Sequence, residues 1–560
     1  MAFWAAPVTI ILALLTWTSL SLWKNLQTAR QIGLPVVLSP VTPLNPFWIL
    51  TWRIFPQILS LKHLPFGLGT WARCVYMGWS FDDKHALHDE LGDVFIVVTP
   101  GGNEVVVADP ETAHVVFSRR KEYIKPAVMY EQLNVFGPNL NTVEGEDWQR
   151  HRRLTAPSFS EKVSALVWNE SLRQAQDMSS SWYRMGSRGT RTLVEDTATL
   201  TLHVLTSAGF GMSYPFSHGS QKPSDGHEMT YRHSLAICLS NIITFAIVPK
   251  KLLTLRWLPS RLRTLGQAVK EFQCYMDELL AHERTSRRTM PGNRNLVSAM
   301  LEASEESQLS VGKDTGSKLS LADNEIFGNI FAYSLAGHET TANTVAAALV
   351  LLAANPGYQQ WLAEEIDSVC STSSNPETWG YDTTFPKLQR CLAVMYETLR
   401  LYGSIVFIPK AASADSVQSL PYRGVSYKIP PSTFVTINVQ ALHTDQRTWG
   451  PDSLTWRPNR WFQTSDEAAV SLTNPKPGTF VPWADGPRNC PGQKFAQVEF
   501  VAVMATLFAG LRVKPVLQQG QTEPVGRSLL QSVVDGSRIS AITLQMQEPK
   551  KVALEWFKRP

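Results

Sequence analysis

The sequence predicts a mainly helical α+β protein with small β-sheets, preceded by a single N-terminal transmembrane helix. Three observations carry that reading. Leu321 to Ala354 contains no proline and is rich in Ala, Leu and Phe. Val94 to Val98 and Val105 to Val107 are runs of β-branched and aromatic residues that flank the turn Pro100-Gly101-Gly102-Asn103. Met1 to Trp23 carries no charged side chain.

The N-terminal element comes first. Phe3 to Trp23 gives 21 mostly apolar residues, close to what spans a hydrocarbon core roughly 30 Å thick. A cleaved signal peptide would need a basic start and a small-residue cleavage site. No basic residue precedes this run, and Trp17, Leu20, Leu22 and Trp23 fill the region where cleavage would fall. Lys24 and Arg30 follow it, and positive charge favours the cytosolic side. Residues 1–23 therefore read as a signal anchor with a luminal N-terminus and the remaining chain in the cytosol. Pro35, Pro40, Pro43, Pro46 and Pro56 forbid a continuous helix, so 24–79 reads as a proline-rich linker and membrane-proximal segment. Within it, Phe47 to Trp52 is too short to span again; it lies in the headgroup region or docks on the globular domain. One large globular domain over 80–560 accounts for the rest.

Composition excludes several functions. The chain of 560 residues is 44% hydrophobic, which rules out wholesale disorder. Its 52 basic and 48 acidic residues balance too closely for a protein that works by binding a nucleic-acid backbone. Six cysteines with no C-x-x-C exclude a disulfide scaffold, a zinc ribbon and a thioredoxin-like motif.

Within the globular domain, Ser320 with Asp323 makes a capping-box start and Asn355-Pro356-Gly357 a stop. The spacing predicts one helix of about 34 residues, about 50 Å long, which must cross an entire domain. Glu302 to Ser320 is polar and Ser-rich and reads as a surface loop. The middle of the long helix holds Ala336-Gly337-His338-Glu339-Thr340-Thr341. Glycine and paired threonines are poor mid-helix residues, and such local rule-breaking marks function.

Cys490 stands in a second unusual stretch, Trp483-Ala484-Asp485-Gly486-Pro487-Arg488-Asn489-Cys490-Pro491-Gly492. Its Gly and Pro residues impose a tight loop, and a helix over Gln493 to Leu511 follows, its N-terminal dipole near the sulfur. Arg488 adds positive charge, which favours a thiolate. A lone thiolate in such a loop suits a nucleophile or a metal ligand. The other five cysteines read as buried structural thiols.

This loop resembles the cysteine-ligand loop of the cytochrome P-450 family, F-x-x-G-x-R-x-C-x-G, with Trp483 in place of Phe. Three further motifs resemble that family in order and spacing. Ala336 to Thr341 is similar to its A-G-x-[DE]-T-T stretch. Glu397-Thr398-Leu399-Arg400 is similar to its E-x-x-R helix, completed by Arg460 in Trp456-Arg457-Pro458-Asn459-Arg460-Trp461, which resembles its F-x-P-E-R-F loop with Trp456, Asn459 and Trp461 as departures. Trp148-x-x-x-Arg152 is similar to its W-x-x-x-R helix. The resemblance covers about residues 80–540 and implies a cytochrome P-450 fold with heme b (iron protoporphyrin IX), whose iron takes the Cys490 thiolate as axial ligand.

The other roles it implies are these. Glu339 and Thr340 form an acid–alcohol pair that feeds protons to oxygen activation. Glu397, Arg400 and Arg460 form a buried structural triad. Trp148, Arg152 and Arg488 bind the haem propionates, with Lys410 and His443 in positions often used the same way. The substrate pocket is lined by Phe331, Leu335 and Ala336, by Ile405, Val406 and Phe407, and by the loop from Tyr123 to Phe136. These side chains are mostly apolar, so the substrate is expected to be lipophilic. Electrons would come from NADPH through a cytochrome P-450 reductase, with cytochrome b5 as a second donor. The basic run Arg150, His151, Arg152, Arg153 and Lys494 offers such a partner a docking face.

The expected activity is that of a monooxygenase of the endoplasmic reticulum membrane acting on a terpenoid or polyketide-derived metabolite, with a fatty acid next. A peroxide-rearranging isomerase or dehydratase is the alternative enzyme. Members of that kind often lack the acid–threonine pair, which is present here. A membrane-anchored binding protein with a degenerate site is the alternative from another class. Asn169-Glu170-Ser171 fits a glycosylation sequon, expected to stay unused in the cytosol.

Overall fold

The computed structural model describes residues 2–43, 45–51, 69–216, 223, 225–255, 257–289, 295–309, 320–370, 375–462, 472–540 and 542–559. They divide into two compact units. The first comprises Met1–Pro126, Ile405–Thr455 and Asn474–Cys490; the second comprises Ala127–Ser404, Trp456–Thr473 and Pro491–Pro560.

The first unit is built on a six-stranded sheet. Its strands are β1 (Val36–Leu38), β2 (Val94–Thr99), β3 (Gly102–Val107), β4 (Tyr123–Ile124), β5 (Phe407–Ala412) and β8 (Phe434–Asn438), in the order β1-β2-β3-β8-β5-β4. A separate hairpin pairs β6 (Gln418–Tyr422) with β7 (Val425–Ile429). The hairpin expected from sequence is β2–β3, in antiparallel register from Val94↔Val107 to Thr99↔Gly102. Every residue of β2 is buried, because the sheet is covered on both faces. Alternation sorts them: Val94, Ile96 and Val98 join one apolar cluster, and Phe95 and Val97 another with Cys74 and Leu87.

The first of these faces is covered by α1 (Ala2–Ile32) and α2 (Pro110–Ser118). Helix α1 does not stop at Trp23. Lys24 to Ile32 continue it, and Leu22, Leu26, Ala29 and Ile32 pack on the sheet. Asn25 donates to the Thr99 and Pro100 carbonyls at 2.8 and 3.3 Å, and the Asn103 amide donates to the Asn25 carbonyl at 2.9 Å. The residues expected to begin a linker are thus a core element, because the nearest proline of the linker lies beyond them at Pro35. A short helix, Pro46–Thr51, docks through the Trp48 indole, which donates to the Val75 carbonyl at 2.6 Å; Trp52 lies outside the described residues. Among the described residues no helix is long and apolar enough to cross a membrane.

The second unit is mainly helical. Its principal helices are α3 (Gly145–Thr155), α4 (Glu161–Met185), α5 (Leu193–Phe210), α6 (Tyr231–Ser240), α7 (Ser260–Thr289), α8 (Leu296–Leu309), α9 (Asp323–Ala354), α10 (Gln389–Tyr402), α11 (Gln493–Gly510) and α12 (Glu523–Asp535). Two small antiparallel pairs complete it: β9 (Leu511–Pro515) with β12 (Leu554–Lys558), and β10 (Arg538–Ser540) with β11 (Thr543–Gln545). Helix α4 packs on α5 and α11, and α5 packs on α9.

The long central helix is α9, 32 residues and about 48 Å by its rise. It starts two residues later than the sequence suggested. Its N-cap is Ala322, whose backbone N–H is taken by Glu325 Oε2 at 2.9 Å. Glu325, and not Ser320 with Asp323, supplies the cap. The stop at Asn355 is as expected. Gly328 lets α9 pass tightly under another segment, since a Cβ there would lie 2.3 Å from the Pro138 carbonyl oxygen. The polar segment expected to be a loop is helical at its start, because α8 runs to Leu309; residues 310–319 lie outside the described ones.

Candidate active site

In the first unit the cysteine loop is closed by its own backbone and tied to α2. The Cys490 N–H donates to the Trp483 carbonyl at 3.0 Å, and the Asn489 N–H to the Gly486 carbonyl at 3.2 Å. Ala484 and Gly486 have φ of 56° and 68°. Gly486 also abuts α2: a Cβ would stand 2.6 Å from the Phe117 carbonyl oxygen, so only glycine fits there. Asp485 caps the Gly486 N–H at 2.6 Å and pairs with His114 Nδ1 of α2 at 2.5 Å.

This loop presents an exposed Cys490, whereas Cys74, Cys238, Cys370 and Cys391 are buried. Burial pushes the Cys238 and Cys370 thiols up to about 12 and raises those of Cys74 and Cys391 as well, which keeps them protonated and inert. Among the described residues no group of three or more His, Cys, Asp or Glu side chains is placed to hold a metal ion. A single presented thiol with Arg488 two residues away fits an iron already held by a macrocycle, which needs one protein ligand. Lys410, on β5, is 3% exposed. His443 is fully buried and its Nε2 accepts the Val481 N–H at 2.9 Å. That contact makes the ring a brace for the chain entering the cysteine loop. Val406 is 1% exposed, and its carbonyl takes the Val439 N–H and the Ser80 hydroxyl, so it faces packed protein. Ile405 and Phe407 are half-buried.

In the second unit, Glu397 gathers five donors. Arg400 binds it bidentately at 2.8 and 2.7 Å, and Arg460 Nε and the Arg457 N–H each reach it at 2.8 Å. The fifth is the Trp461 indole N–H, at 3.1 Å. Glu397 and Arg400 have no exposed surface, so the charge is stable only because it is fully paired. The two tryptophans that depart from the family pattern each add a donor a phenylalanine lacks: Trp461 to Glu397, and Trp456 to the Thr398 hydroxyl at 3.2 Å. Asn459 takes the Tyr358 hydroxyl at 3.2 Å.

Helix α3 carries Trp148, buried, and Arg152, half-buried. The basic run around them is not a solvated face. Arg150 is 8% exposed and grips Glu325 at 2.9 and 2.5 Å, and its Nη1 also donates to the Ser320 carbonyl at 2.8 Å. His151 is fully buried between Glu325 (3.3 Å) and Asn329 (3.1 Å). These two residues lock α3 to the start of α9, which leaves Arg153 as the exposed member. Lys494 lies over the Phe385 ring at 4.7 Å.

On α9 the Thr340 hydroxyl donates to the Ala336 carbonyl at 2.7 Å, the helix back-bond. Its oxygen still accepts. The Thr340 carbonyl receives the Thr344 and Ser404 hydroxyls at 2.8 and 3.3 Å. Glu339 is half-buried, and burial raises its carboxyl above the usual range despite hydrogen bonds from Thr543 and Gln545. His338 turns away, its Nδ1 on the Ser334 carbonyl at 2.6 Å, while Thr201 of α5 donates to the His338 carbonyl at 3.1 Å. Ala336 is exposed and Leu335 half-buried. Phe331 is fully buried, packed on Phe136 and Phe272 with ring centroids 4.9 and 5.9 Å away. It is a core residue here.

The cytochrome P450 family model matches residues 62–534. The chain belongs to the cytochrome P450 family. As a P450 monooxygenase it is an oxidoreductase that incorporates oxygen from O₂. It is 32% identical to a cytochrome P450 monooxygenase of Arthrobotrys oligospora, over 95% of this chain and 94% of the other. It is 31% identical to a monooxygenase of the phomenoic acid biosynthesis cluster of Leptosphaeria maculans, over 93% and 94%. A solved cytochrome P450, CYP102L1, shares the fold with a TM-score of 0.64 at 21% identity, over 86% of this chain and 94% of that one. Family membership implies a haem-thiolate iron.

Proposed function

We propose that this P450 is a membrane-bound monooxygenase of fungal secondary metabolism that oxidises a lipophilic small molecule, terpenoid or polyketide-derived. The observation that carries it is Cys490, an exposed thiol in a loop closed by the Trp483 carbonyl and rigidified by Asp485, His114 and Gly486. A haem held there would supply the chemistry of O₂ activation and oxygen transfer to substrate. Trp148 and Arg152 on α3, and Arg488 in the loop, would hold its carboxylates, since carboxylates out of water need cationic or N–H partners. Thr340 offers a hydroxyl and Glu339 a carboxyl on α9, an acid–alcohol pair suited to moving protons inward. That pair supports monooxygenation over peroxide rearrangement.

Relatives named for fungal biosynthesis support the metabolic setting: the phomenoic acid cluster enzyme, and a ganoderic acid synthetase of Ganoderma lucidum at 27% identity. For the membrane, the first part of α1 is the supporting feature. Leu12, Leu14, Leu15, Trp17, Leu20 and Trp23 are 57–63% exposed, more apolar surface than a soluble helix leaves uncovered. We place it in the endoplasmic reticulum membrane with the catalytic units in the cytosol, served by an NADPH-dependent flavoprotein reductase. Membranes carrying the enzyme and its reductase, given NADPH and panels of lipophilic metabolites, should yield a product heavier by one oxygen. Under ¹⁸O₂ the added atom should be labelled. Conversion without NADPH or without label would overturn the monooxygenase reading.

A further inference from the structure

Glu339 does not hang free beside Thr340. Its Oε1 accepts from Gln545 Nε2, and the Thr543 side chain bonds the same carboxyl. Gln545 Nε2 also reaches Thr543 Oγ1 at 3.2 Å, which closes a triangle of acid, amide and hydroxyl. Thr543 and Gln545 are the two ends of β11, and residues two apart on a strand share a face. Leu544 between them fixes the strand by its backbone. Its N–H donates to the Ser404 carbonyl at 2.8 Å, and its carbonyl accepts from Asn343 at 3.3 Å. Asn343 is one turn beyond Glu339 on α9. Ser404 also holds the Thr340 carbonyl. The hairpin that holds the acid is thus keyed to the segment that holds the alcohol.

The chemistry around Glu339 is neutral. Its shift has no charged cause, only burial opposed by Thr543 and Gln545, and the adjacent His338 ring points to Ser334. Both hydrogen-bond partners tolerate either charge state. A threonine hydroxyl can donate to a carboxylate or accept from a carboxylic acid, and an amide offers N–H and C=O together. Gln545 is itself half-exposed, so the hydrogen-bonded group around the carboxyl reaches solvent on the hairpin side.

We infer that Gln545, with Thr543, is a positioning residue for the proton-donating acid. The pair holds Glu339 toward the C-terminal hairpin, where the carboxyl is reloaded with a proton from solvent. This rests on the role given to Glu339 and Thr340 above. In each cycle Glu339 passes one proton toward the Thr340 hydroxyl and becomes a carboxylate. It then takes one proton from bulk hydronium on the hairpin side, and no electrons move.

The test uses the full-length holoenzyme with its reductase. It measures product formed per NADPH consumed, across pH, in H₂O and D₂O. Gln545→Leu should keep the wild-type carbon monoxide spectrum. Its product per NADPH should fall several-fold, with a larger solvent isotope effect. The high-pH limb of the coupling profile should move upward, because a donor that favours the carboxylate has been removed. Gln545→Glu, of the same shape, should move the limb further the same way by like-charge repulsion. It decides the matter if the leucine variant does not fold. Wild-type coupling and an unmoved limb in these variants, while Glu339→Gln uncouples, would overturn the role of Gln545 alone. Full coupling in Glu339→Gln would remove the acid role of Glu339, and the inference with it.

Discussion

At the scale of single residues, Trp461 is instructive. The family pattern has phenylalanine there, so the tryptophan reads in the sequence as a departure. The structure shows it as a gain, a fifth donor on a carboxylate with no water to solvate it. A buried indole N–H usually finds a partner, so a tryptophan beside a buried charge motif was a readable signal. Trp461→Phe, which restores the family residue, should lower stability by about 1.5–3 kcal/mol, the range for a hydrogen bond to a charged group. Denaturant unfolding of the haem-loaded protein measures it. An unchanged midpoint would show that the indole bond adds nothing. The contacts among Glu397, Arg400 and Arg460 were legible because both parts of the triad stand in short recognisable strings. Gln545 was not, because its partner lies 206 positions away and a lone glutamine on a hairpin carries no pattern. Arg150 and His151 were misread as solvated because a basic run has no mark of burial, and their partner Glu325 is contributed by another helix.

At the scale of elements, α1 has two jobs. Its turns from Leu12 to Trp23 expose leucines and tryptophans, and its last turns pack on the β2–β3 hairpin. The apolar run was plain in the sequence. The second job was hidden because Lys24 and Arg30 signal the end of an apolar span, while Leu26, Ala29 and Ile32 continue a one-sided helix at i, i+3 and i+6. Deleting residues 2–20 should therefore release the protein from membranes and leave its unfolding temperature nearly unchanged. Deleting 2–32 should uncover the sheet and lower that temperature by several degrees. Membrane sedimentation and calorimetry separate the two. Equal stability of the two truncations would show that the packing of α1 is incidental. The long helix α9 was the most legible element, since its stop signal and its absence of proline suffice. Its start was misplaced because Glu325 reaches back to cap Ala322 while also binding Arg150.

At the scale of the whole molecule, two ion-paired clusters should shape the pH dependence of stability. Burial works to raise the Glu325 carboxyl, but Arg150 and the Ala322 N–H outweigh it and hold the carboxyl down to about 2. Its contribution is complete above the ordinary value near 4.5 and is lost as pH falls from there toward about 2. His227 works at the other end. Its two ring nitrogens face Glu271 and Glu278 at 2.8 and 3.1 Å, and the ring stacks on Tyr275 at 3.7 Å. Burial works to lower it, but the carboxylates raise it above 6.5. Its contribution is complete below that ordinary value and fades as pH rises through the raised one. Unfolding temperature against pH should show both limbs. Glu325→Gln should flatten the acid limb, and His227→Asn the alkaline one. Limbs that persist in both variants would assign the pH dependence to other groups.

The central claim is that Cys490 supplies the axial thiolate of a bound haem. The direct measurement is the absorption spectrum of the purified protein, reduced and exposed to carbon monoxide. The wild type should show the red-shifted Soret band of a thiolate-ligated haem, and Cys490→Ala should lose that band. A folded wild type without the band, or a Cys490→Ala variant that keeps it, would contradict the account.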